Sequence, residues 1–162
     1  MDAIKLLTSQ HRALEALLKV GLAAQKPRAR SAALVEVGDE LTKHLTSEEE
    51  LFYPEVKARQ TEDILLESLE EHLSLKRLLA DLLVLDTDDA TWEAKFKVLK
   101  EQTEHHHEEE EEHLFPKVAK MLSANELNVL GRAMLDLQHR LQKAGDPREA
   151  VADQTEKAAP LV

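Results

Sequence analysis

The sequence predicts an all-α protein: an up-down-up-down four-helix bundle with a short C-terminal fifth helix. Three observations carry this. Leu, Ala, Glu and Lys dominate, while aromatic residues make up 3% and only four Gly and five Pro occur in 162 residues. Apolar residues recur in alternating steps of three and four through four segments, as in helices that turn one face to a shared core. The connections between segments are short, which makes consecutive helices antiparallel neighbours.

The first stripe runs Ile4, Leu7, His11, Leu14 and Leu18, and QKPRAR at 25–30 interrupts it. The second runs Leu34, Val37, Leu41, His44, Glu48 and Leu51, fading after Pro54. The third comprises Leu65, Leu69, His72, Leu75, Leu79 and Leu82 and ends at LDTDDAT. The fourth is Trp92, Phe96, Leu99, Thr103, His106 and Glu110, with Thr91, Asp88 or Asp89 as its N-cap. SANE at 123–126 is a capping box that opens the fifth, shorter helix, which ends near Gly145–Pro147. One domain over residues 1–145 and a loose tail over 146–162 are expected.

A net charge of −11 argues against nucleic acid and against anionic lipid as partners, since both would repel the chain. There is no cysteine, so disulfides, thiol catalysis and thiolate metal sites are excluded. A metal would have to be held by His, Asp and Glu, a donor set suited to iron, manganese or zinc. The N-terminal residues do not read as a signal peptide and no apolar run is long enough to span a membrane, so a cytoplasmic location is expected.

Two stretches are written alike: HLTSEEELFYP at 44–54 and HHEEEEEHLFP at 106–116. Each has His ten residues before Pro, Glu six before it and a Phe close to it. Pro54 and Pro116 lack the N–H that would bond the carbonyls of Glu50 and Glu112, so each should kink or end its helix. His44 and Glu48, like His106 and Glu110, are four residues apart and share a helix face.

The informative fact is that His11, His44, His72 and His106 each occupy an apolar-stripe position, one per helix, together with Glu48 and Glu110. One such histidine is ordinary in a helix, and a glutamate run taken alone is a solvated face. Four histidines in register with two carboxylates are different, because a buried unpaired carboxylate costs several kcal/mol. No stripe position carries an arginine. Two hard or borderline cations bridged by the carboxylates, with the imidazoles completing their shells, would balance the charge. The other histidines are expected elsewhere: His105, His107 and His139 towards solvent, His113 in packing or in support of the cluster. Tyr53 is expected to pack and Lys76 to reach the surface.

At these residues the chain resembles the hemerythrin-like, or HHE cation-binding, domains. The resemblance spans roughly residues 2–122 and rests on DAIKLLTSQH, HLTSEEELFYP, EEHLSLKRLL and HHEEEEEHLFP. LSANELNVLGRAM is similar to a C-terminal extension common in bacterial members. The resemblance implies a non-haem di-iron centre. His11, His44, His72 and His106 would be terminal ligands of two iron ions, bridged by Glu48, Glu110 and an oxo, hydroxo or water ligand. Oxygen-carrying hemerythrins have a further histidine one turn after the third-helix ligand, where this chain has Lys76. The departure favours a site that meets and reacts with dioxygen, peroxide or nitric oxide over simple oxygen carriage. Iron sensing or buffering without turnover is the alternative. A third possibility, a helical interaction module with no metal, leaves six matched polar positions without a reason.

Overall fold

Asp2 starts the first helix: its carboxylate accepts the Lys5 N–H at 2.8 Å, and α1 runs Ala3–Ala23. The computed structural model describes residues 1–162, all helix, turn or coil and no strand. The second helix, α2, is Pro27–Ser47. Proline is at home in a first helical turn, where its missing N–H has no intrahelical partner to lose. The interruption expected over 25–30 therefore shrinks to residues 24–26.

At Glu48 the winding changes. Glu48–Phe52 forms a π-helical turn, followed by α3, Tyr53–Val56, which carries Pro54. After α4, Glu62–Val84, the same change recurs. α5, Trp92–Glu109, passes into a π-turn at Glu110–Leu114 and then α6, Phe115–Met121, which carries Pro116. In both places an N–H reaches back five residues instead of four, from Tyr53 to the Glu48 carbonyl and from Phe115 to that of Glu110. The break expected at each proline thus takes the form of a widened turn just before it.

Thr91 stands at the N-cap of α5, and the bonds there come from Asp89, which accepts both the Thr91 N–H at 2.8 Å and its hydroxyl at 2.6 Å. The capping box forms as the sequence predicts: Ser123 Oγ accepts the Glu126 N–H and Glu126 accepts the Ser123 N–H. The helix it opens, α7, spans Ala124–Ala144. At 21 residues it equals α1 and α2 in length, so the fifth helix is not short. It packs against α1, α2 and the first π-turn.

The stretch read as a loose tail is also built in. Pro147–Gln154 is a 3-10 helix whose Val151 is 1% exposed, packed against α2 and α4. Arg148 pairs with Asp39 at 3.1 Å, and Arg77 donates to the carbonyls of Thr155 and Glu156.

The core has two apolar clusters. One gathers Leu7, Phe52, Tyr53, Leu69, Leu114 and Phe115; the other gathers Leu14, Leu41, Leu75, Trp92, Phe96 and Leu99. Along α1 the first ends at Leu7 and the second begins at Leu14, with His11 between; along α4, Leu69 and Leu75 flank His72 in the same way. A polar layer is thus held between two apolar ones.

Candidate metal centre

All six stripe residues meet in that layer and all are buried: His11, Glu48, His72 and Glu110 at 0% exposure, His44 and His106 at 1%. Each arrives from the segment that its stripe predicts. His11 lies on α1, His44 on α2, His72 on α4 and His106 on α5, and each glutamate opens a π-turn one helical turn past its histidine.

The Nε2 atoms converge on the carboxylates. His11 Nε2 lies 3.2 Å from Glu110 Oε1, and His44 Nε2 lies 3.2 Å from Glu48 Oε1. His72 Nε2 is 3.5 Å from Glu48 Oε1, and His106 Nε2 is 3.5 Å from Glu110 Oε1. Three groups of donor atoms result, each spanning no more than 4.8 Å: His11, His44, Glu48 and Glu110; Glu48, His72 and His106; and His11 and His44 with His107.

The outer nitrogens are all engaged. Nδ1 of His11 meets Glu111 at 2.7 Å, that of His72 meets Glu49 at 2.7 Å, and that of His106 meets Glu71 at 2.8 Å. His44 Nδ1 meets the amide oxygen of Gln10 at 2.8 Å. Since these partners are acceptors, each Nδ1 carries a hydrogen, and in the neutral ring Nε2 is left with its lone pair turned inward. His11 Nε2, His44 Nε2, Glu48 Oε1 and Glu110 Oε1 have no hydrogen-bond partner. His72 Nε2 and His106 Nε2 face each other at 3.1 Å. Buried acceptors aimed at one another are costly unless a cation lies among them. The donor set therefore fits metal ions, with outer hydrogen bonds of the kind that orient metal-bound histidines.

The field inside the layer is uneven. Burial acts to raise both carboxyls, yet Glu48 is held well below the ordinary range by the charge of His44 and by bonds to its neighbours. Glu110 ends above it, because the charge of Glu48 adds to burial. Burial depresses His106, but the Glu110 charge and bonds to Glu48 and Glu71 overcome this and lift it well above the usual imidazole range.

Several residues depart from expectation. His107, expected in solvent, is 1% exposed and stacks on His11 with ring centroids 3.8 Å apart and planes 10° apart. Neither of its ring nitrogens has a hydrogen-bond partner, and burial, reinforced by the nearby imidazoles, drives its pKa far down. Helix α5 is covered by α1 on one side and α4 on another, so neighbours 100° apart can both be interior.

Tyr53 does more than pack. Its hydroxyl donates to Glu110 Oε2 at 2.8 Å and lies 3.1 Å from His72 Nε2, with Glu48 Oε2 at 3.4 Å. Burial and the two carboxylates hold its pKa well above the ordinary value. The π-turn brings it there, since five residues past Glu48 an α-helix would have turned it away. Lys76, expected at the surface, is 4% exposed and donates to Glu49 Oε1 at 2.9 Å. It neutralises the carboxylate that holds His72, and one turn after His72 on the inner face is the signal that marked it. His113 is exposed beside Glu109 and Glu112 and supports nothing in the cluster; His105 and His139 are exposed as expected.

A family model described as hemerythrin HHE cation binding domain matches residues 2–118. Among solved structures, a hemerythrin HHE cation binding domain-containing protein from Mycobacterium kansasii superposes with a TM-score of 0.82 at 22% identity, covering 95% of this chain and 99% of that one. The likeness is one of fold. A comparison with curated proteins gives no match. No helix is long and apolar enough to cross a membrane.

Proposed function

This chain belongs to the hemerythrin HHE cation binding domain family, and from that premise we propose that it is a non-haem di-iron protein. The ligands would be His11, His44, His72 and His106 with Glu48 and Glu110 as bridges. The helices that carry them, α1, α2, α4 and α5, would form the up-down-up-down bundle, with α7 laid against it. One observation supports this above the rest: four imidazoles have their outer nitrogens bonded to acceptors and their inner ones turned toward two partnerless carboxylate oxygens. Two iron ions held there, with a bridging oxygen ligand, would supply redox and ligand-binding chemistry toward dioxygen, peroxide or nitric oxide.

The chain's own residues shape that chemistry. Glu111, Glu49, Glu71 and Gln10 fix the rotation of the four imidazoles. Tyr53 keeps a proton on its hydroxyl and holds it on Glu110 Oε2, its oxygen 3.1 Å from His72 Nε2. The apolar clusters above and below exclude water. A surface cleft of about 510 Å³, walled by Thr46, Glu50, Asp153 and Lys157, has the Glu49–Lys76 pair in its lining. That pair stands between the cleft and His72, and the cleft is the proposed approach for a small oxidant.

The test is to load the protein with Fe2+ without oxygen and then add hydrogen peroxide or nitric oxide. Consumption of either supports a reactive centre. A protein that takes up two irons and consumes neither is an iron-sensing or buffering module.

A further inference from the structure

The inference rests on the di-iron reading and concerns α7, which lies beyond the residues that the family model matches. Three of the four inward imidazoles, His11, His72 and His106, donate to carboxylates. His44 alone meets a neutral amide, Gln10. An amide can be turned either way. With its oxygen toward His44, Nδ1 must carry the hydrogen and Nε2 is free to bind a metal. With its NH2 toward His44, the hydrogen would move to Nε2 and block the inner lone pair.

What fixes the amide is a chain that starts at Ser47. The Ser47 hydroxyl donates its one hydrogen to the His44 carbonyl at 2.9 Å, so its oxygen can only accept. The NH2 of Gln138, on α7, fills that need at 2.9 Å and also donates to Gln10 Oε1 at 3.1 Å. Gln10 returns its own NH2 to Gln138 Oε1 at 2.6 Å. Each link leaves one orientation for the next, and the last sets the His44 ring. Gln138 is 6% exposed, so water does not compete freely for these bonds.

We propose that Gln138 is a positioning residue of the metal centre, setting the His44 tautomer through Gln10, and that the metal position served by His44 is the weaker of the two. The second half follows from the partner: a carboxylate on Nδ1 raises the basicity of a ligating imidazole more than a neutral amide does.

The experiment loads the full chain with Fe2+ and follows release to a chelator, with helicity checked by circular dichroism. Wild type should release its iron in two phases. Gln138→Leu should speed the fast phase about 10-fold and leave the slow one unchanged. Gln10→Glu should slow the fast phase, and in Gln10→Glu/Gln138→Leu the fast phase should fall back to the wild-type rate or below it, because a carboxylate presents an acceptor whichever way it is turned. A role in helix packing alone would not be rescued this way. A single phase in wild type, an unchanged rate in Gln138→Leu, or no rescue would overturn the proposal. A second readout, the nitrogen shifts of the histidine rings in iron-free protein, separates it from the di-iron reading. His44 should carry its hydrogen on Nδ1, with the Nε2 form growing in Gln138→Leu. A wild-type His44 protonated on Nε2 overturns the relay whatever the iron content. The expected tautomer in a protein that binds no iron upholds the relay and sinks the di-iron reading.

Discussion

Tyr53 and Glu110 come from the two halves of the repeated motif and meet across the core, the tyrosine hydroxyl donating to Glu110 Oε2 at 2.8 Å. The bond ties the first π-turn to the second. Tyr53→Phe removes the donor and leaves a buried carboxylate oxygen without it. A loss of about 1–3 kcal/mol in stability is expected, read by urea unfolding of the metal-free protein. Iron content should stay at the wild-type level, since the ligand set is untouched.

Lys76 neutralises Glu49, which in turn orients His72. Lys76→Met keeps the length and apolar stem but withdraws the cation. Glu49 then loses the bond that holds it against His72, and iron should be held about 10-fold less tightly in competition with a chelator. An unchanged affinity would mean that Glu49 orients His72 without help.

His107 lies flat on His11. His107→Ala opens a cavity beside a ligand and should cost about 2–5 kcal/mol in unfolding free energy. His107→Phe keeps a flat ring in place and should cost less than about 1.5 kcal/mol, with iron content preserved. Loss of iron in the Phe variant would show that the imidazole nitrogens matter and that stacking is not the whole of its role.

Much of the site could be read from the sequence, because the period of the α-helix decides which residues share a face. That period put His11, His44, Glu48, His72, His106 and Glu110 in one layer, and the Ser123/Glu126 capping box is just as local. Tyr53 was hidden because it reaches the layer only where the period changes, in a π-turn. The prolines that follow both π-turns were the visible trace of that change. His107 was hidden because one face per helix was assumed, whereas α5 is covered on two sides. Gln138 belongs to a helix that looked merely appended, and nothing in its own stripe distinguishes it. Val151 was missed because one apolar residue in a polar tail has no period at all.

Val151 docks the 3-10 helix Pro147–Gln154. Val151→Asp should release it, with a stability loss of about 1.5–3 kcal/mol from the exposed side chain. Limited proteolysis should then cut within residues 147–154, a segment expected to resist in the wild-type chain.

The most direct measurement is elemental analysis of the untagged protein beside Glu110→Ala, with the near-ultraviolet spectrum of each. The account predicts two irons per chain and oxo-to-iron absorption bands in the wild type, with both lost in the variant. No metal, or one loosely held zinc that is indifferent to Glu110, would contradict it.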